Sequence, residues 1–503
     1  MLRYASQDDP QTLDPHSAAL LSTSRVTANV YDSLVWWDKS WKPIPWLALS
    51  WSRPDAKTWR FRLREGVRFH DGTPFTADDV VFSAERVLSP TSQLKVTLQG
   101  VQKAVRVDAH TVDFVMREPN PALLSHLTSF RIMSRAWCLR HGSARPQDYT
   151  AREDTYASRH MNGTGAFMLK ERQSDVKTVL VANRDWWGNK AGLNEGNLDE
   201  VVLLPIKSNA TRLAALLSGE VDFVVDPPTQ DVARLRSDPQ VRIVEGGELR
   251  VQYLAFDLHR DDLLHGKAGG KNPFRDLRVR QAVAHAIDAE AIGAKVMRGF
   301  SRPAGSILVP GVQGYAAGAD VRPAFDRDKA KRLLAEAGYP QGFEVTLDAG
   351  NIQPAADIAQ AVAAMLSQVG IRVRPNIVPQ GNYFPKIEKY DTSFYLLSWG
   401  PGVTSDALYT LQALLGTVGT NGGGDFNLGR WTDPRMDDLL QAIRVESDMA
   451  RRDALIREAL VLANRELPLV PIHQPRIPWA MRKNVSAWFS PVNTLYYYRA
   501  RID

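Results

Sequence analysis

Cysteine is almost missing from this chain: Cys138 is the only one in 503 residues. A single thiol excludes an internal disulfide and any multi-cysteine zinc site. No stretch approaches the roughly 18 uninterrupted apolar residues that a membrane span needs. Excess charge is scarce too, with 62 Lys+Arg against 56 Asp+Glu and a formal net charge of +6. Basic pairs such as Arg451-Arg452 sit beside Asp453 and Glu458, so a basic stripe for nucleic acid is not expected. The opening residues Met1-Leu2-Arg3-Tyr4 carry no apolar h-region. An export signal is therefore expected to be absent from this chain.

Catalytic signatures are lacking as well. The histidines never fall in HExxH spacing, and no GxSxG elbow occurs. Gly269-Gly270-Lys271-Asn272 lacks the leading glycine and the Ser/Thr of a phosphate loop, which needs backbone N–H groups, a lysine and a metal-binding hydroxyl together. Gly163-Thr164-Gly165 has no third glycine at Met168, and no strand-turn-helix pattern frames Asn421–Asp425. With no visible nucleophile, acid/base pair, metal cluster or phosphate cradle, the sequence assigns no catalytic residue, no metal and no cofactor.

What is present is an ordinary soluble composition, 44% apolar and 23% charged, in a chain too long for one hydrophobic core. Two or three domains are expected. Helix and strand signals alternate, which argues for an α/β architecture. Thr76-Ala77-Asp78-Asp79 reads as a capping box. Ser208 or Asn209 can cap a helix that Gly219 ends, followed by a buried strand at Val221–Val225. The clearest unit runs from Asp326 to Val378. A helix through Lys329–Ala337 stops at Gly338-Tyr339-Pro340, and Phe343, Val345 and Leu347 alternate as a strand. Ala355–Val369 is helical up to Gly370, and Ile371-Arg372-Val373 starts a second strand. That β-α-β order predicts parallel strands. Phe394–Leu397 reads as another buried strand, and helices are expected near Pro434–Val445 and Asp448–Arg465. The Gly-rich joint Thr417–Gly424 reads as a mobile loop.

Aromatic residues are plentiful, at 13 Trp, 14 Tyr and 17 Phe, with the pairs Trp36-Trp37 and Trp186-Trp187. Such side chains build ligand pockets because they offer large contact area at low entropic cost. Trp59, Phe61 and Phe69 alternate and read as core. Trp399 ends a buried strand and opens a Pro/Gly turn, where ligands sit in α/β sheets, so it is a candidate pocket wall.

Val30-Tyr31-Asp32-Ser33-Leu34-Val35, Pro45-Trp46-Leu47-Ala48 and the run Trp59 to Val80, with Gly66-Val67-Arg68-Phe69-His70-Asp71-Gly72-Thr73-Pro74-Phe75-Thr76 at its centre, resemble the family 5 extracellular solute-binding proteins. These are the peptide/nickel-type binding proteins of ABC importers. Asn162–Phe167, Arg212–Leu216, Arg278–Val283, Leu333–Pro340 and Pro468–Pro471 extend the resemblance over essentially the whole chain, in order.

The resemblance implies a two-lobed periplasmic-binding-protein fold, type II-like, with an extra third domain. Lobe one would comprise 1–42, 163–256 and 472–503, the extra domain 43–162, and lobe two 257–471. Tyr253–Phe256 would be one hinge crossing and Pro471 would lie on the return. The implied function is non-catalytic capture of a small solute, a peptide or peptide-like molecule, in the cleft between lobes. Delivery to ABC permease subunits would follow, in the periplasm or at the cell surface, by a monomer. A nickel-chelate or other anionic-metabolite binder is the alternative within the fold, for which Arg131 would matter. A peptide hydrolase is the alternative from another class.

One departure bears on the ligand. In the peptide-binding members, an acidic residue three positions after the tryptophan of this turn holds the peptide α-amino group. Here Trp399-Gly400-Pro401-Gly402 puts Gly402 at that place, and Asp406 is the only nearby carboxylate. Asp406 either loops back to anchor the ligand or caps the helical run Ala407–Leu415; Trp399, Gly400, Gly402, Asp406 and Arg131 are the candidate ligand residues. Hinged closure predicts a smaller radius of gyration by small-angle scattering when ligand is added. An unchanged profile at saturation would count against the hinge.

Overall fold

The computed structural model describes every residue except Gln353, Val403, Asn421 and Gly422. Asn421 and Gly422 belong to the Thr417–Gly424 joint, so the loop expected there lies in part outside the described residues. The chain divides into two compact units: Met1–Gly246 with Ile477–Asp503, and Gly247–Arg476.

The first unit is built on strands whose apolar residues face inward on both sides. Leu2–Ser6 runs parallel to Glu200–Pro205 on one side and to Phe223–Val225 on the other. Lys177–Ala182 and Phe167–Gln173 extend the sheet antiparallel, and Trp479–Met481 closes its other end against Phe223–Val225. Helix Asn209–Ser218 begins where the Ser208 hydroxyl accepts from the Thr211 N–H and ends at Gly219, whose φ of 80° suits a residue without Cβ. Its Leu213 and Leu216 pack with Ala5, Val224, Leu235 and Ala480. Segment 43–162 carries its own antiparallel sheet of Ala48–Asp55, Thr58–Leu63, Thr111–Met116 and Val101–Asp108. Trp59 and Phe61 are buried in it. The helix Ala77–Leu88 starts as expected, with the Asp79 carboxylate accepting from the Thr76 N–H at 2.9 Å.

In the second unit the β-α-β reading holds. Helix Arg327–Glu336 ends at Gly338, φ 91°. Strands Glu344–Gly350 and Arg372–Val378 are parallel across seven residues in register, with helix Ala355–Ser367 between them in sequence. Phe394–Trp399 and Val251–Phe256 pair antiparallel, and Val251–Phe256 pairs onward with Leu469–His473. Leu254, Phe256, Phe343, Leu347, Ile358, Leu396 and Ile472 form a common core with helix residues Val279 and Val283. The two late helices run Pro434–Val445 and Met449–Glu466.

The hinge residues named from sequence fall elsewhere than at the division. The chain passes between units at 246/247 and 476/477, so Tyr253, Phe256 and Pro471 lie inside the second unit. Val251–Phe256 is buried at every position and flanked by strands on both sides. Its ladder hydrogen bonds hold it as an interior strand.

Two histidines, one in each unit, are buried beside arginines. Burial, reinforced by Arg86, pushes His16 down to about 4, although Asp14 pulls the other way. Burial, reinforced by Arg322, likewise takes His473 down to about 4. Both are therefore neutral in the folded protein, and unfolding frees them to take up protons near pH 6.5. Their contribution to stability is complete above about pH 6.5 and is lost as the pH falls toward 4. Denaturant unfolding should show stability dropping on the order of 1–3 kcal/mol per histidine over that window. Replacing His473 with Leu should flatten the descent between pH 6.5 and 5, and an unchanged slope would contradict the assignment.

Candidate ligand site

The turn after strand Phe394–Trp399 is shaped by two glycines. A Cβ at Gly400 would stand 2.6 Å from the Leu249 carbonyl oxygen, so only glycine fits beside that strand. Gly402 has φ 58°, and a Cβ there would meet nothing within 4 Å. The place where the resemblance puts an acidic side chain is thus open space. Ser405, at φ 49°, then turns the chain into helix Ala407–Leu415.

Trp399 is only 8% exposed. Its indole donates to the Thr410 hydroxyl at 3.1 Å and packs against Phe426 and Tyr409, with ring centroids 4.8 and 5.7 Å away. These contacts seat helix Ala407–Leu415 on the end of the strand.

Asp406 is spent inside the unit. One carboxylate oxygen accepts the Leu408 N–H at 2.9 Å, the N-cap foreseen from sequence. Both oxygens also take the Arg452 guanidinium, at 2.8 and 3.0 Å. The two side chains are 1% and 0% exposed. Arg452 further donates to the Ile443 carbonyl at 3.2 Å, so one ion pair joins three helices. A ligand ammonium would have to displace a buried arginine to reach this carboxylate, which would leave that cation unpaired at high cost. Of the two roles the sequence offered Asp406, the cap is the one its contacts display. Arg452 was missed, yet it had a signal: it sits on the stripe shared by Ile456, Ala459, Leu460 and Ala463, where an apolar residue is expected.

Arg131 belongs to the first unit. Its guanidinium carbon lies 4.7 Å over the Trp36 ring, and its carbonyl accepts from His16 Nε2 at 2.8 Å. That bond, with Arg86 donating to His16 Nδ1 at 3.0 Å, fixes a neutral imidazole protonated at Nε2. Arg131 Nη1 is buried without a hydrogen-bond partner. Behind it, Asp32 is buried and accepts from Trp46 Nε1 at 2.7 Å, Trp187 Nε1 at 2.8 Å and Thr164 Oγ1 at 2.8 Å. Burial raises its carboxyl despite these three donors. One each of the expected aromatic pairs, Trp36 and Trp187, thereby turns out to serve the framework: Trp36 donates to the Tyr498 hydroxyl at 2.9 Å, and Trp187 to Asp32.

The Cys138 thiol is buried and pushed up to about 12, mainly by desolvation, which disfavours the nucleophilic thiolate. Among the described residues no group of three or more His, Cys, Asp or Glu is placed to hold a metal.

The model of the bacterial extracellular solute-binding proteins, family 5, matches residues 42–422. The chain belongs to that family. Among curated relatives, di/tripeptide-binding protein 2 of Pseudomonas aeruginosa is 28% identical, over 92% of this chain and 86% of the relative. Heme-binding protein A of Haemophilus influenzae is also 28% identical, over 88% and 81%. The solved structure of HbpA2 from Haemophilus parasuis superposes with a TM-score of 0.85 at 23% identity, covering 100% of this chain and 99% of that one. A dipeptide-binding protein from Pseudoalteromonas in complex with Met-Leu gives 0.75 at 25% identity, covering 100% of both chains. The mixed α/β fold of this solute-binding protein is thus the family's.

The buried pair generates a prediction that differs from simple capping. Asp406→Asn keeps the cap acceptor but leaves Arg452 buried without a counter-charge, so it should cost about 3–5 kcal/mol. Adding Arg452→Met should recover much of that loss in thermal or denaturant unfolding. A single variant as stable as wild type would show that the pair carries nothing.

Proposed function

We infer that this solute-binding protein captures a short peptide or peptide-like solute and hands it to the permease subunits of an ABC importer, in the periplasm or at the cell surface, without chemically changing it. The names of the relatives support the ligand class: di/tripeptide-binding proteins of Pseudomonas aeruginosa and a dipeptide-binding protein of Escherichia coli, 26% identical over 97% of this chain. The observation that shapes the proposal is the pairing of open space at Gly402 with an Asp406 already neutralised by Arg452. Recognition of the solute then rests on neutral hydrogen bonds and apolar contact rather than on a carboxylate from this turn.

Arg131 favours a second reading, in which the solute is anionic. A buried guanidinium nitrogen without a partner carries a desolvation cost that a ligand carboxylate would offset.

Native mass spectrometry of the purified protein identifies any solute that stays bound. Mixed di- and tripeptides should raise the melting temperature saturably and be recovered intact. Hydrolysis of the peptides would overturn the binding-protein reading. Stabilisation by small di- or tricarboxylates alone, abolished by Arg131→Gln, would move the ligand to the anionic class.

A further inference from the structure

One face of the second unit's sheet carries a charge ladder with a gap. On strand Glu344–Gly350, Val345, Leu347 and Ala349 enter the core, so Glu344, Thr346 and Asp348 share the opposite face. In register beside them on strand Arg372–Val378 stand Arg372, Arg374 and Asn376. On the other side, Lys267 lies opposite Glu344, and the His265 carbonyl accepts the Thr346 N–H.

Two of the three rows are complete. Glu344 pairs with Arg372 at 3.2 Å, and Lys267 stands opposite it in strand register without pairing. Asp348, fully buried, accepts from Asn376 at 2.6 Å, Thr392 at 2.7 Å and Lys386 at 3.1 Å. In the middle row the position between Arg374 and His265 is Thr346, a neutral hydroxyl. Among the described residues the side chains of Thr346, Arg374 and Lys267 have no hydrogen-bond or ion-pair partner. Asp391 is engaged by His265 at 2.6 Å and by Lys386 at 3.5 Å. Four cations (Lys267, Arg372, Arg374, Lys386) therefore face three carboxylates (Glu344, Asp348, Asp391). A cavity of about 500 Å³ opens at this row, lined by His265, Lys267, Thr346, Arg374 and Lys386 and also by Asp348, whose carboxylate Lys386 already meets. His265, on its lining, holds a φ of 56°, a conformation that persists where surroundings enforce it.

We propose that this cavity binds a small oxyanion, phosphate or a carboxylate, which supplies the negative charge that the Thr346 row lacks. The guanidinium of Arg374 and the ammonium of Lys267 would neutralise it, with the Thr346 hydroxyl donating a hydrogen bond. The site is independent of the turn at Gly402 and of the solute proposed above.

Calorimetric titration of the full chain with inorganic phosphate, in low-salt phosphate-free buffer, tests the site. Saturable binding is expected, weakened at least tenfold by Arg374→Gln. Thr346→Glu should abolish it by placing a carboxylate in the gap, while leaving the melting temperature at or above wild type because Glu completes the row. Acetate titrated in place of phosphate distinguishes the sources: equal affinity assigns a carboxylate site, and preference for phosphate assigns a dianion site. Absence of binding by either anion, or affinity unchanged in both variants, would overturn the proposal.

Discussion

A carboxylate removed from water must find its partners within the chain, and in this protein that constraint falls most heavily on Asp406. Its ion pair with Arg452 is fully enclosed. The geometry is bidentate, the arrangement in which a buried pair best offsets its own desolvation. Because the same carboxylate caps helix Ala407–Leu415 and Arg452 reaches Ile443, the pair fixes that helix against Met449–Glu466 and Pro434–Val445. Trp399 follows, since its indole is held by Thr410 of the capped helix. Between the strand end and this helix start, Gly402 faces open space.

The first unit solves a similar problem with neutral donors. Asp32 draws Trp46, Trp187 and Thr164 toward one point, joining segments more than a hundred residues apart in sequence. Aromatic residues here provide donors and packing for the framework, and Arg131 is left stacked on Trp36 with a nitrogen unsatisfied. Both units thus spend acidic groups on architecture.

The fold was legible where local signals agree with tertiary context. Gly338 and Gly370 marked helix ends, alternation marked Glu344–Gly350, and the order of elements predicted the parallel pairing that the register shows. Asp406 as a cap was legible for the same reason, since a short acceptor before an apolar helical run is a local pattern. Its partner lies 46 residues away, and such a pairing leaves no local trace beyond an arginine on an apolar stripe. The Asp32 cluster shows the same limit: two tryptophans and a threonine look like core or pocket until the chain brings them onto one carboxylate. The resemblance put hinge crossings at Tyr253–Phe256 and Pro471, whereas the compact units divide at 246/247 and 476/477; that Val251–Phe256 is flanked by strands on both sides has no local trace in its sequence.

With Asp406 held by Arg452 and open space at Gly402, the α-amino group of a bound peptide would meet no carboxylate from these residues. Calorimetric titration of the wild-type protein with one dipeptide and its N-acetylated form tests this most directly. Affinities within about threefold of each other are predicted, since removing an unpaired ammonium loses no charge-assisted hydrogen bond of about 1.5–3 kcal/mol. A loss of a hundredfold or more on acetylation would contradict the account and require a carboxylate that reaches the peptide terminus.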